Sequence, residues 1–196
     1  MSLGNQTPRL VLASASPRRL ELLRQIGLPP DAVIPADIDE NTLPRELPRQ
    51  YASRIAGAKL DAVKPYHSGS IVLAADTVVA RGRRILPKAD NLQTARECLT
   101  LLSGERHRVY GGIALCGPDG RHTARVVLTS VVFKRLSHEE IESYLASGEW
   151  DGKAGGYAIQ GRAAAFVRQI NGSYSNVVGL PLFETAQLLQ GMGLRA

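Results

Sequence analysis

A chain of 196 residues with 44% hydrophobic and 21% charged side chains can bury a core and reads as soluble and globular, one α/β domain or two closely packed lobes. Its net charge of +6 favours an anionic partner, whether nucleic acid, membrane surface or phosphorylated metabolite, but the arginines are spread out and form no basic tail. The longest apolar run, 71–80, is too short for a membrane span and is interrupted by Asp76. Residues 1–6 show no signal-peptide pattern and read as a loose start. Cys98 and Cys116 form no CxxC, which points to core thiols in a reduced, cytoplasmic compartment.

The apolar run 10–13 predicts a buried strand, and Leu20, Leu22, Leu23 and Ile26 then recur at helical spacing. Ser14-Ala15-Ser16-Pro17-Arg18-Arg19 is therefore a strand–turn–helix junction. Ser16 suits the N-cap and Pro17 the first helical position. The two arginines stand where the helix dipole disfavours cations, by about 0.3–1 kcal/mol each. A bound polyanion would offset that cost, held by the hydroxyls of Ser14 and Ser16, backbone N–H groups and the guanidinium forks of Arg18 and Arg19. The alternative is arginines that face solvent or pair with acids elsewhere.

The first helix is expected to end near Gly27, with a brief extended segment over 32–35. Asp37-Ile38-Asp39-Glu40 places three carboxylates together, as a solvated loop or as a contribution to a metal site. Pro48 opens a helix to about Val63, with a predicted inner stripe of Tyr51, Ile55, Ala58 and Ala62 and with Lys59 at its boundary. The run 71–80 is apolar on both alternating faces, as in a strand covered on both sides. An ionised Asp76 there must pair with a cation, bind a metal, stay protonated or mark an opening onto a cleft, unless it accepts backbone N–H bonds at a bulge.

Arg81-Gly82-Arg83 predicts a hairpin turn that returns through Ile85 and Leu86 to Lys88. Asn91 or Asp90 caps a helix to Leu102 with Ala95, Leu99 and Leu102 inward, closed by Ser103-Gly104. Strands over 109–116 and 123–133 flank the turn Gly117-Pro118-Asp119-Gly120. Ser137 caps a helix over 138–146 with Glu139 and Glu140 in its first turn, where acids belong. The glycine-rich stretch 148–161 carries Asp151, Lys153, Tyr157 and Gln160. It is not a P-loop, because Gly148 and Gly152 are too close together and Ala154 stands where Ser or Thr is required. A strand over 163–170, a loop over 171–176 and a helix from Pro181 complete the chain, without internal repeats or linkers.

Arg18, Arg19, Glu40, Lys59, Asp76, Lys88, Lys153 and Gln160 thus fall at strand ends, helix starts and loops, where α/β proteins place ligands. Basic groups with carboxylates suit a triphosphate and a divalent ion: cations hold the phosphates, acids hold the metal, and one carboxylate activates water. His67, His107, His122 and His138 show no metal-ligand spacing. Two rival classes are a nucleic-acid-binding module, against which the few aromatics are not interleaved with basic residues, and a nucleotide sensor that does not catalyse.

Ser14-x-Ser16-Pro17-Arg18-Arg19, Ala75-Asp76-Thr77-Val78-Val79, Leu102-Ser103-Gly104, Lys153-Ala154-Gly155-Gly156-Tyr157-Ala158-Ile159-Gln160-Gly161 and Asn171-Gly172-Ser173-Tyr174 through Gly179-Leu180-Pro181-Leu182 together resemble the Maf family of nucleoside triphosphate pyrophosphatases, over nearly the whole chain. The resemblance implies hydrolysis between the α and β phosphates to the monophosphate and pyrophosphate, with a divalent cation, Mg²⁺ ahead of Mn²⁺. It implies Asp76 as proton acceptor and Arg18, Glu40, Lys59 and Lys88 as phosphate- and metal-handling residues, with Glu40 and Asp76 toward the metal. Ala75-Asp76-Thr77 and Ile159-Gln160-Gly161 look like the dTTP/UTP subgroup, so Arg18, Thr77 and Gln160 match the specificity positions. The implied fold is α/β, with an elongated mixed sheet, flanking helices and two lobes around a central cleft, similar to inosine triphosphatases, over 1–196 without a separable linker. A cytoplasmic, often homodimeric enzyme that needs neither membrane nor nucleic acid is expected. The chain departs from the family pattern at Pro87-Lys88-Ala89, where Gly-Lys-Pro is usual, at Gly152 and Ala158, where Asp and Gly are commoner, and at Gly111-Gly112, where Thr-Gly is frequent.

Overall fold

The computed structural model describes residues 8–195, so the expected loose start over 1–6 lies outside the described residues. Four fully buried residues form β1 (Leu10–Ala13), and Pro17 at the first helical position opens α1 (Pro17–Gln25). Gly27, at φ 71°, then turns the chain into β2 (Ala32–Val33), which is parallel to β1 and shorter than the expected segment. Next come α2 (Pro48–Val63), a 3₁₀ turn (Lys64–Tyr66) and the long β3 (Ile71–Arg81). The hairpin from β3 to β4 (Arg84–Leu86) turns on Gly82 at φ 61°, while Arg83 keeps a negative φ, which is the pattern of a type II′ turn.

Beyond β5 (Lys88–Ala89), the Asn91 side chain accepts the Thr94 N–H and caps α3 (Leu92–Leu102). The predicted hairpin is β6 (Arg106–Cys116) and β7 (His122–Phe133), and α4 (His138–Ala146) starts at a reciprocal Ser137–Glu140 capping box. Two expectations are corrected in the C-terminal part. The predicted strand over 163–170 is a 3₁₀ turn (Arg162–Phe166) followed by β9 (Val167–Asn171), since the run Ala163-Ala164-Ala165 lacks the β-branching that favours strands. The predicted loop over 171–176 contains the start of α5 (Tyr174–Val178), which Ser173 caps by accepting the Asn176 N–H. α6 (Leu182–Gly191) follows Pro181, and the short β8 (Lys153–Ala154) pairs with β5 as a separate two-stranded sheet.

The main sheet runs β2-β1-β3-β6-β7-β9, with β4 added alongside β3. It is mixed: β1 is parallel to β2 and β3, and all other pairs are antiparallel. Alternation along β3 sorts its side chains. Ile71, Leu73, Ala75 and Val79 join the larger core under α1, α3, α4 and α6, whereas Val72, Ala74, Val78 and Ala80 face α2. On the β6 side β3 is paired from Val72 to Ala80. On its other edge β1 pairs with residues 71–74 and β4 with 79–81, leaving residues 75–78 without a strand partner. That gap contains Asp76 and Thr77.

The phase of α2 differs from the expected stripe. Its buried residues are Pro48, Ala52, Ile55, Ala56, Lys59, Leu60 and Val63, so Lys59 lies on the inner face and not at its boundary. The reason lies on the sheet: Gly112 of β6 has no side chain, and a Cβ there would stand 2.1 Å from the Ala52 carbonyl oxygen. The helix backbone rests where that side chain would be, and this contact selects the face it turns inward.

Candidate active site

Asp76 is 3% exposed and belongs by alternation to the α2 face; Thr77, one residue on, belongs to the other. Both line a cavity of about 550 Å³ in the gap of β3, within the size range of small-molecule sites. Lys59 Nζ donates to Asp76 Oδ1 at 2.7 Å and lies 2.8 Å from Glu40 Oε1. Glu40 Oε2 in turn accepts from Lys88, on β5. The Tyr51 hydroxyl donates to the Glu40 carbonyl at 2.7 Å and ties the acidic loop to α2. Asp76, Lys59, Glu40 and Lys88 therefore form a ladder of alternating charge, whose formal charges cancel. Burial acts to raise the Glu40 pKa, but hydrogen bonds from Lys59 and Lys88 outweigh it and hold the carboxyl below its ordinary value.

The other cations of the cavity have no such partners. Arg18, Arg19 and Lys153 line it, and none has an ion pair among the described residues. Burial lowers the pKa of all three. For Arg19 the charge of Asp76 opposes this and that of Arg18 adds to it, and for Lys153 the neighbouring charge of Arg18 also adds to it. Like charges facing a shared opening without counter-ions favour an anion between them.

The two arginines do different work. Arg19, 8% exposed, donates through Nε to the Gly179 carbonyl at 2.9 Å, through one terminal nitrogen to Ser14 Oγ at 2.9 Å and through the other to Thr77 Oγ1 at 3.1 Å. It joins the β1–α1 turn, β3 and the loop after α5 into one wall, and has two of its five N–H donors without a partner among the described residues. The Arg18 side chain makes no hydrogen bond among the described residues and leaves its whole fork free. Ser16 occupies the N-cap position, but its side chain makes no capping bond; its N–H donates to Ser14 Oγ at 3.2 Å.

Of the residues singled out from the sequence, Ser14, Ser16, Arg18, Arg19, Glu40, Lys59, Asp76, Thr77 and Lys88 all line this cavity. Gln160 is exposed and is not among the lining residues. Sequence reasoning gave no role to Gly179, whose carbonyl anchors Arg19 from φ 148°, a backbone conformation open to glycine; the Gly179-Leu180-Pro181 run was its visible signal. A smaller chamber of about 340 Å³, lined in part by Tyr51, Ile85 and Pro87, shares Glu40, Asp76, Thr77 and Lys88 with the first.

No group of three His, Cys, Asp or Glu side chains able to hold a metal occurs among the described residues. Glu40 and Asp76 nonetheless suit Mg²⁺, which takes one or two carboxylates and completes its shell with substrate phosphates and water. That two carboxylate oxygens converge on one cationic nitrogen shows that the pair accepts a positive charge between them. No helix among the described residues is long and apolar enough to cross a membrane.

Residues 9–192 match the family described as Maf-like protein. A protein of Paramagnetospirillum magneticum named dTTP/UTP pyrophosphatase is 68% identical over 184 residues, covering 94% of this chain and 97% of its own. One of the same name from Rhodospirillum rubrum is 67% identical over 186 residues, covering 95% and 89%. Among solved structures, a HAM1 protein from Coxiella burnetii shares the fold with a TM-score of 0.51 at 14% identity, over 94% of this chain and 99% of that one. With the match spanning almost every described residue and relatives 67–68% identical over nearly their whole length, the chain belongs to the Maf family.

Proposed function

We propose that this protein hydrolyses nucleoside triphosphates, dTTP and UTP foremost, between the α and β phosphates, releasing the monophosphate and pyrophosphate. The observation that carries the reading is one cavity in which a buried aspartate tied to a lysine faces cations that have no acidic partner. The names of the relatives supply the bases.

In this reading Arg18, Arg19, Lys88, Lys153 and the hydroxyls of Ser14 and Ser16 hold the triphosphate and balance the charge that builds on departing pyrophosphate. Lys59 fixes the Asp76 carboxylate through Oδ1, leaving Oδ2 to take a proton from water, which then attacks phosphorus. Glu40 and Asp76 would hold the divalent cation, which, when bound, neutralises charge on the phosphate oxygens. Arg18 and Thr77, both lining the cavity, select the substrate together with Gln160, which stands outside the lining. A homodimer in the cytoplasm belongs to the same proposal and rests on the family resemblance.

The test is a panel of nucleoside triphosphates with Mg²⁺, scored for pyrophosphate against orthophosphate. Pyrophosphate release led by dTTP and UTP is expected. Orthophosphate as first product, or saturable binding without turnover, contradicts the proposal.

A further inference from the structure

Lys59 lies on the inner face of α2, 7% exposed, and its ammonium sits between Glu40 Oε1 and Asp76 Oδ1 at 2.8 and 2.7 Å. We propose that this ammonium competes with the divalent cation for the Glu40–Asp76 pair, so that the cation is admitted only together with a triphosphate. The inference rests on the divalent-cation reading above. An ammonium is a compact, strongly hydrated point charge that makes much the same demand on carboxylate oxygens as a hard metal ion. A metal ion arriving alone has to place two positive charges beside a largely buried one, and a buried charge that loses its partners is strongly disfavoured. Triphosphate changes this balance. Lys59 lines the cavity and has three N–H donors, of which the carboxylates occupy two. Phosphate oxygens can accept the third and then take over the one on Glu40, which frees Glu40 for the cation while Lys59 keeps its bond to Asp76 Oδ1. Glu40 is held on its other oxygen only by Lys88, a half-exposed side chain that can follow a phosphate as readily.

The test is titration of Mn²⁺ alone, followed by its paramagnetic resonance signal, on the intact wild-type chain and on Lys59→Met. Removing the ammonium leaves two carboxylates facing each other, so Lys59→Met is expected to bind Mn²⁺ at least tenfold more tightly than wild type. Lys59→Met combined with Asp76→Asn is expected to lose that gain. In wild type, a non-hydrolysable α,β-methylene analogue of dTTP is expected to strengthen Mn²⁺ binding at least tenfold. Equal or weaker Mn²⁺ binding by Lys59→Met, or wild-type binding that the analogue does not strengthen, overturns the proposal. Should Lys59→Met lack a cooperative melt in chelator, recovery of the melt on adding Mn²⁺ supports competition, and failure to recover it counts against it. A wild type that hydrolyses dTTP yet fails these titrations loses this inference alone, whereas absence of turnover removes the pyrophosphatase reading.

Discussion

Gly112→Ala tests the contact that seats α2 on the sheet. Gly112 is the β6 residue directly opposite Asp76, and an added Cβ would lie 2.1 Å from the Ala52 carbonyl oxygen and 2.7 Å from its carbon. An ordinary C···O approach is about 3.3 Å or more, so α2 has to withdraw by roughly 1 Å. Helix backbone cannot swing aside as a side chain can. Overpacking of this kind costs about 1–3 kcal/mol, and at this chain length about 2 kcal/mol lowers Tm by roughly 4–8 °C. The same retreat carries Lys59, seven residues along the inner face, away from Asp76 and stretches a 2.7 Å bond beyond hydrogen-bonding range. A misplacement of about 1 Å at a reacting group can lower the rate about 10²-fold, so kcat for dTTP should fall while KM changes less. Gly57→Ala is the control on the same helix, because its Cβ meets nothing within 4 Å; there the better helix propensity should leave stability unchanged or raise it by up to about 1 kcal/mol. Thermal melts and pyrophosphate release for both variants decide the matter. A Gly112→Ala protein with wild-type Tm and kcat, or a Gly57→Ala protein equally impaired, would refute the reasoning.

The two arginines should separate. Arg18→Ala removes a fork with no protein partner and is expected to lower kcat/KM about 10- to 100-fold, the equivalent of about 1.5–3 kcal/mol for hydrogen bonds to a charged group, with Tm unchanged. Arg19→Ala also removes the bonds to Gly179, Ser14 and Thr77 and should lower Tm as well; equal melts for the two variants would contradict the division of labour. The pH dependence of stability follows from Glu40. Its folded-state pKa lies below the ordinary 4.5, so its contribution is present above that value and is lost as pH falls through the lowered one. Urea midpoints of wild type and Glu40→Gln are therefore expected to converge on acidification, and a gap that stays constant down to low pH would contradict the ion-pair ladder.

What the sequence makes legible is whatever local chemistry decides. Asp76 stands out because an acid inside a β-branched run needs a partner, and Asn91, Gly82 and the Ser137–Glu140 box announce their caps and turn within four residues. Contacts between distant segments are not legible in this way. In α2 the alanines at 52, 56, 58 and 62 allow two inner stripes, and the choice falls to a glycine on a strand fifty residues downstream. Arg18 and Arg19 are chemically identical neighbours about 100° apart around a helix; only Gly179, Ser14 and Thr77 determine which one turns inward. At five residues, α5 is too short to show a helical period. Gln160 matches a family position, yet it is exposed and outside the cavity lining, which no motif reveals.

The most direct measurement is steady-state pyrophosphate release from dTTP by Asp76→Asn beside wild type, with melts recorded for both. A carboxylate that takes the proton from attacking water cannot be replaced by an amide, so kcat should fall about 10²- to 10⁴-fold while the variant still melts cooperatively. Pyrophosphate release near the wild-type rate from a folded Asp76→Asn protein would contradict the account.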